Sequence, residues 1–175
     1  MAQRREPAAP HSCQRIAEDL LAYARAPEVA TDELDIGALL EETARRFMAT
    51  DEGAHVGLEV RARACVIRGD AVRLRQVVAN LLKNAVQAGS KEILVAGERR
   101  SEQEYAFRVA DRGVGMTVEQ RARAFEPFFT ARKGGTGLGL AVCQGIIRSH
   151  GGTIAVAPRN GGGSEFAVTL PARVG

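Results

Sequence analysis

Three short motifs decide the fold of this chain: DRGVGM at residues 111–116, FEPFFT at residues 125–130 and GTGLGLA at residues 135–141. The first sets a carboxylate among glycines, and the third is a glycine loop that opens an expected helix. Free N–H groups and the helix dipole favour an anion at such a loop. One glycine-rich run alone is usually a turn. In combination, the three motifs predict a nucleotide-binding domain.

The composition is that of a single globular domain. The 175 residues suffice for a sizeable core, and 45% hydrophobic with 26% charged residues argues against wholesale disorder. A net charge of +3 is too small to indicate nucleic acid as a partner. No run approaches the roughly 18 apolar residues of a membrane span, and residues 1–7 lack the apolar core of a signal peptide. We therefore expect a cytoplasmic protein with no direct membrane contact.

The three cysteines are isolated and odd in number, at Cys13, Cys65 and Cys143. This pattern argues against a disulfide framework or a zinc site and fits a reducing compartment. We expect all three to be ordinary packing residues.

The hydrophobic pattern predicts helices that alternate with mainly antiparallel strands. Helical spacing indicates helices near residues 13–26, 37–49, 71–88, 117–123 and 138–149. Alternation indicates strands near residues 56–61, 65–67, 91–99, 104–111, 153–157 and 164–170. Asp70 is the expected N-cap of the 71–88 helix, and His150-Gly151-Gly152 ends the last helix. These elements predict an α/β (α+β) two-layer sandwich, with a mixed, mostly antiparallel sheet and helices on one face.

Asn80 and Asn84 are four residues apart on the 71–88 helix. They share a face, which we expect to lie opposite the Leu and Val stripe. One interpretation is a solvated surface. The other is a hard-cation site, because an amide oxygen can ligate Mg²⁺, which takes its remaining ligands from water and phosphates.

Asp111 ends an expected strand and is followed by Gly113 and Gly115. A carboxylate there can accept from the exocyclic amino group of adenine, whereas guanine would present an oxygen, so the site would prefer ATP over GTP. The glycines would let the backbone turn and approach a flat base. The alternative is a common Asp-Gly turn.

The segment after this turn holds three phenylalanines, Phe125, Phe128 and Phe129. They are either core residues or an apolar anchor for a mobile lid, formed by residues 116–136, that would cover the nucleotide. Lys133 follows in a glycine-rich run, either as a solvated lysine or as a contact to a terminal phosphate. A Walker loop and a kinase His-Arg-Asp loop are both absent from the sequence.

These motifs, in this order, resemble the ATP-binding catalytic domain of sensor histidine kinases, nearest to the nitrogen-regulatory type. The resemblance spans about residues 31–172. It includes an N box at residues 70–88 with NLLKNA at its heart, the G1, F and G2 boxes at residues 111–116, 125–130 and 135–141, and a closing strand at residues 163–171.

The resemblance implies the Bergerat ATP-binding fold for residues 31–175. Residues 1–30 would be a tail followed by the terminal part of a dimerisation helix. Asn84 would ligate Mg²⁺, and Asp111 would bind the adenine of ATP. Further nucleotide contacts would come from Gly113, Gly115, Phe128, Thr136, Gly137, Leu138 and Gly139. Asn80 and Lys133 would serve the catalytic step.

The same resemblance implies a histidine-bearing dimerisation domain and a response regulator as partners, and a homodimeric full-length protein. Two departures stand out. Gln87 occupies a position where many members carry Lys or Arg. The acceptor motif, a histidine followed by an acidic residue, is absent, since His11 is followed by Ser12. We therefore expect part of a kinase, or a partial kinase that needs a separate histidine-bearing protein.

Three other functions share this fold class. ATPases of the chaperone, gyrase and mismatch-repair types carry a Glu at the position of Asn80 to activate water, and an Asn cannot take up that proton. An anti-sigma serine kinase would lack the phenylalanine motif. A regulatory module that binds nucleotide without chemistry stays open, because the acceptor is missing.

Overall fold

A computed structural model describes residues 32–132 and 135–172. The helix expected at residues 13–26, Cys13 and Lys133 lie outside these residues. The elements are β1 (Asp32–Asp35), α1 (Ile36–Met48), β2 (Gly57–Ala62), β3 (Val66–Gly69), α2 (Ala71–Gln87), β4 (Glu92–Ser101), β5 (Glu104–Asp111), α3 (Val118–Ala122), α4 (Gly139–Ser149), β6 (Thr153–Pro158) and β7 (Ser164–Pro171).

The main sheet has five strands in the order β2-β4-β5-β7-β6. Only β2 and β4 run parallel, and every other pair is antiparallel. The predicted mixed, mostly antiparallel sheet is therefore confirmed. The sequence did not predict β1, which pairs with β3 in a separate two-stranded sheet. Its residues, DELD, are too few and too acidic to show the alternation by which strands are recognised.

The inward residues of the sheet pack against helices on one face. Ile93, Val95, Phe107 and Val109 alternate inward and join a core with buried residues of α1, α2 and α4. Tyr105 is completely buried there, and its hydroxyl donates to the carbonyl of Arg63 at 3.1 Å. The two-layer sandwich is confirmed. Of the helices in the described residues, none is long and apolar enough to cross a membrane.

Both cysteines of the described residues are buried packing residues. Cys65 and Cys143 are free thiols in the core. Burial raises the pKa of the Cys143 thiol to about 12. A thiol that stays protonated at neutral pH is a poor nucleophile, so this cysteine fills space and carries no chemistry.

Three helices begin at a side-chain cap. Asp35 accepts from the N–H of Gly37 at 2.9 Å, and Asp70 accepts from Val72 at 2.9 Å. Thr117 begins α3 in a capping box with Gln120. Such caps satisfy N–H groups that have no partner within the helix. The predicted role of Asp70 is confirmed.

His150 ties the end of α4 to the start of α2. Its Nε2 accepts from the N–H of Asp70 at 2.9 Å. An N–H can only donate, so Nδ1 must carry the proton, which it donates to the carbonyl of Ile146 at 2.7 Å. The ring is buried and therefore holds the N-cap residue of α2 against the end of another helix.

We predict that His150→Ala lowers the free energy of unfolding by about 1–3 kcal/mol, because the N–H of Asp70 loses its acceptor in a region that water reaches poorly. Urea unfolding followed by circular dichroism measures this. His55→Ala is the matched control, because His55 is exposed, and should leave stability unchanged. Equal stability of the two variants would contradict the linking role of His150.

Candidate nucleotide-binding site

Asp111 stands at the end of β5 with its side chain only 3% exposed. One carboxylate oxygen accepts from the N–H of Gly113 at 2.7 Å. The next residue is also fixed, because the N–H of Arg112 donates to the Ser90 hydroxyl at 2.9 Å, and that hydroxyl donates to Glu92. The carboxylate therefore projects from a rigid turn. The Asp-Gly turn and a buried acceptor site are both present, so the two interpretations do not exclude each other.

The turn after β5 packs against the end of α2. The N–H of Val114 donates to the carbonyl of Ala88 at 3.0 Å. A Cβ on Gly113 would lie 2.5 Å from that same carbonyl oxygen, so only glycine fits this approach. Gly115 follows with a φ of 70°. The contact brings Asp111 to the end of the helix that carries Asn84.

Asn80 and Asn84 are half-buried beside the apolar stripe of α2. They flank the stripe instead of lying opposite it, so the expected orientation was wrong, and both keep partial exposure to solvent. Asn80 donates to the carbonyl of Gly139 at 3.4 Å, which joins α2 to the start of α4. The oxygen of Asn84 accepts from the guanidinium of Arg132 at 3.5 Å. Both amides therefore face residues that precede or begin α4.

The N-terminus of α4 has no side-chain cap, unlike those of α1, α2 and α3. Leu138 occupies the N-cap position and is buried, so its side chain offers a ligand no contact. Its N–H reaches the Thr136 hydroxyl at 3.4 Å. A Cβ on Gly139 would meet nothing within 4 Å, so open space lies beside the first turn. Uncapped N–H groups in open space form a site for an anion.

The three phenylalanines have different environments. Phe125 packs on the core, and the ring of Phe129 lies 4.3 Å from the guanidinium carbon of Arg123. Phe128 is 64% exposed and has a φ of 65°. That conformation costs a non-glycine residue about 1–2 kcal/mol. The interpretation of these residues as uniform core is therefore wrong for Phe128.

Gly137 holds Phe128 in place. Its carbonyl accepts from the N–H of Phe128 at 3.0 Å. Its own φ is 68°, and a Cβ there would lie 2.5 Å from the carbonyl carbon of Phe128. The phenylalanine segment and the glycine loop are thus in direct backbone contact, through a position that only glycine can occupy without strain.

Arg132 contacts the candidate site residue Asn84, and no sequence motif predicts this contact. Its Nη1 lies 2.7 Å from the amide oxygen of Gln87 and 3.5 Å from that of Asn84, and its Nη2 donates to the Asn84 carbonyl at 3.1 Å. Burial lowers the pKa of this guanidinium, and the charge of Asp111 opposes that effect. The only sequence signal was its place beside Lys133 in the run between two motifs.

The donor set fits a metal–nucleotide complex. Asn84 offers one amide oxygen. The cationic guanidinium of Arg132 lies 3.5 Å from this oxygen, so a positive charge is compatible with the position. A single protein oxygen suits Mg²⁺, which keeps waters and takes phosphate oxygens as further ligands. The uncapped start of α4 would supply donors for phosphates, and Asp111 would supply an acceptor for a base.

Comparison with known proteins assigns the family. Residues 69–174 match the family described as histidine kinase-, DNA gyrase B-, and HSP90-like ATPase. The chain belongs to this family. The match covers α2, the turn at Asp111 and the glycine loop, which carry the candidate site residues.

Sensor histidine kinases are among its similar proteins. The chain is 32% identical over 163 residues to sensor histidine kinase ZraS of Escherichia coli (strain K12), covering 91% of this chain and 35% of ZraS. It therefore spans about a third of that relative. Full-length ShkA in complex with AMPPNP is similar with a TM-score of 0.78 and 29% identity, over 93% of this chain and 36% of ShkA. The catalytic domain of histidine kinase ThkA is similar with a TM-score of 0.72 and 28% identity, over 82% of this chain and 96% of that domain.

We predict that Gly137→Ala destabilises the glycine loop and the Phe128 segment. The positive φ alone costs about 1–2 kcal/mol, and the close approach to Phe128 adds to that. Thermal unfolding measures the loss. Gly145→Ala is the matched control, because Gly145 lies within α4 and a Cβ there meets nothing within 4 Å. That control should gain about 0.5–1 kcal/mol, and an equal gain for Gly137→Ala would refute the proposed constraint.

Proposed function

We propose that this chain is the catalytic domain of a two-component sensor histidine kinase, which binds Mg-ATP and donates the γ-phosphate to a histidine on a separate dimerisation domain. The observation that carries the proposal is the uncapped N-terminus of α4, which Asn80 contacts directly, with Asn84 on the same helix face and Asp111 buried at the end of β5. Its similarity to sensor histidine kinase ZraS and to the ShkA structure with bound AMPPNP supports it.

Asp111 is the base-recognition residue in this proposal. One oxygen is held by the N–H of Gly113, so the carboxylate cannot rotate freely. The other can accept from the amino group of adenine. Guanine would present an oxygen at that point, and two facing acceptors repel, so the geometry selects ATP.

The backbone of residues 136–139 holds the phosphates. No N-cap side chain closes the start of α4, where the N–H of Leu138 makes only a long contact of 3.4 Å with the Thr136 hydroxyl, and the helix dipole adds positive potential there. Asn84 would hold Mg²⁺, which when bound would neutralise phosphate charge and polarise the transferred group. Lys133, Thr136 and Phe128 are proposed as further contacts of the nucleotide.

Asn80 is the residue that would favour phosphoryl transfer over hydrolysis of ATP by water. Its amide donates to the Gly139 carbonyl, so it orients the start of α4 and any water nearby. An amide cannot accept a proton at neutral pH, and the site therefore holds no general base at this position. Phosphoryl transfer depends mainly on positioning and charge stabilisation, so a bound nucleotide waits for an aligned acceptor.

The partners follow from this chemistry. Residues 1–30 would include the end of a dimerisation helix, and residues 31–175 the catalytic domain. The acceptor histidine lies on a dimerisation domain, the full-length protein is a homodimer, and a response regulator receives the phosphate next. The proposed location is the cytoplasm, where ATP and response regulators are available.

We predict that Asp111→Asn reverses base selectivity. The Asn oxygen keeps the bond to Gly113, so the amide nitrogen must face the base, where it repels the adenine amino group and can donate to the guanine oxygen. ATP affinity should fall by at least about tenfold, and GTP affinity should rise. Competition binding with both nucleotides measures this, and a parent protein with equal affinity for them would refute the assignment of Asp111.

We predict that the chain alone neither phosphorylates itself on histidine nor turns over ATP rapidly. Adding a histidine-bearing dimerisation domain should give acid-labile, base-stable phosphate on that domain. Asp111→Ala, as the control, should abolish the transfer with the loss of nucleotide binding. Steady ATP turnover by the chain alone would favour an ATPase. Nucleotide binding without transfer to any such domain would favour a regulatory ATP-binding module.

A further inference from the structure

The turn between β6 and β7 has the sequence Asn160-Gly161-Gly162-Gly163. The N–H of Gly162 donates to the carbonyl of Arg159 at 3.1 Å, so Asn160 and Gly161 are the two central residues of a β-turn. Asn160, Gly161 and Gly162 are exposed, whereas Gly163 is buried. The tip of the turn therefore meets water, and its last residue is packed into the domain.

The backbone nitrogen of Gly161 has open access to the side chain of Asn160. Among the hydrogen bonds of the described residues, none uses the N–H of Gly161 as its donor. Gly161 carries no side chain that could shield this nitrogen, and it turns the backbone with a φ of 85°. A nitrogen that follows an asparagine can close a succinimide ring on the amide carbon of that side chain. Asparagine is accordingly among the thermolabile residues of proteins.

The other two asparagines of the chain lack this access. Asn80 and Asn84 lie within α2 and are followed by Leu81 and Ala85, whose side chains are buried. The N–H groups of these two following residues belong to the hydrogen-bond ladder of the helix, so neither nitrogen is available for ring closure. The chain therefore contains one asparagine open to this reaction and two internal references.

The last residue of the turn is packed against the backbone of the candidate site. A Cβ on Gly163 would overlap the carbonyl oxygen of Asp111, so the two backbones are in contact. A Cβ on Gly115 would lie 3.1 Å from the carbonyl oxygen of Gly163. That same oxygen accepts from the N–H of Arg159 at 3.2 Å, which ties Gly163 to the turn. A change in the length of the turn therefore acts on the backbone at Asp111 and at Gly115.

We propose that Asn160 is a site of spontaneous covalent modification whose product disturbs the turn that carries Asp111. The nitrogen of Gly161 loses its proton and forms a bond to the side-chain amide carbon of Asn160, and the amide nitrogen of that side chain leaves as ammonia. Water then opens the succinimide at either of its two carbonyls. One opening gives aspartate at position 160. The other gives isoaspartate, in which the main chain runs through the former side chain and is one methylene longer.

The longer backbone of isoaspartate is the product that should weaken nucleotide binding. The added methylene enters a turn that is closed by the bond between Gly162 and Arg159 and is anchored in the ladder of β6 and β7. The extra length must break that bond or displace Gly163, which has no space toward Asp111. The aspartate product leaves the chain length unchanged and adds only a charge. The reaction at Asn160 is independent of the proposed function, whereas its effect on ATP rests on that function.

Storage of the purified chain in alkaline and in acidic buffer, followed by peptide mass mapping, tests the chemistry. Modification should be confined to Asn160, with Asn80 and Asn84 as internal references. It should be faster in alkaline buffer, because the attacking nitrogen must first lose its proton. Methyl transfer from S-adenosylmethionine by protein isoaspartyl methyltransferase measures the isoaspartate. Modification of Asn160 no faster than that of the two asparagines in α2 would overturn the proposal.

Asn160→Gln is the matched variant, because it keeps the amide but needs a larger ring to react, which makes closure far slower. Parent protein should lose ATP affinity several-fold as isoaspartate accumulates on storage, whereas stored Asn160→Gln should bind ATP as it did when fresh. Fresh Asn160→Asp should bind ATP as the fresh parent does, which isolates the effect of the longer backbone. Full ATP affinity in a parent sample rich in isoaspartate would overturn the link to Asp111.

A second measurement does not depend on nucleotide binding. The N–H of Arg112 donates to the Ser90 hydroxyl, and the N–H of Gly113 donates to Asp111, so both amides should be protected from hydrogen exchange in the parent. Their exchange should become several-fold faster as isoaspartate accumulates, while exchange within α1 stays unchanged. Constant exchange at both amides would overturn the disturbance of this turn. Fresh parent protein that fails to bind ATP would refute the proposed function alone, because the exchange measurement still decides whether the modification reaches Asp111.

Discussion

The contact between the turn after β5 and the end of α2 is the constraint on which the site depends. Gly113 lies so close to Ala88 that any side chain would collide with the helix backbone, and Val114 donates to the same carbonyl. The sheet layer supplies Asp111, and the helix layer supplies Asn84. Without this junction the proposed acceptor for the base and the proposed ligand for the metal would belong to separate layers.

The N-termini of the helices differ in whether a side chain caps them, and this difference follows their roles in stability and in function. Asp35, Asp70 and Thr117 satisfy the first N–H groups of α1, α2 and α3, so those ends are closed to ligands. The start of α4 has no such cap and keeps its donors open, at a cost of about 1 kcal/mol relative to a good cap. Proteins commonly break a local rule at a functional site, and the position of this exception agrees with the family match.

The sequence predicted those parts of the fold that depend on local patterns. The stripes of α1, α2 and α4 placed each of these helices to within one residue at either end, because burial of one face imposes a 3.6-residue period. The acidic strand β1 has no such period and was missed. The orientation of Asn80 and Asn84 was misjudged, because α4 packs beside the stripe and widens the buried surface. The contacts of Arg132 with α2 could not be predicted, because its partners there are distant in sequence. The glycine-rich run next to it indicated Lys133 instead.

The exposed Phe128 shows how the edge of the site is linked to its centre. A φ of 65° is unfavourable for phenylalanine, so contacts outside the residue must hold it there. The contact that does so is the N–H bond to Gly137, and Gly137 is itself confined to a positive φ. The direction of an exposed aromatic side chain is therefore set by the same loop that precedes the uncapped helix. Because this hydrogen bond joins the two backbones, a displacement of the glycine loop acts directly on Phe128.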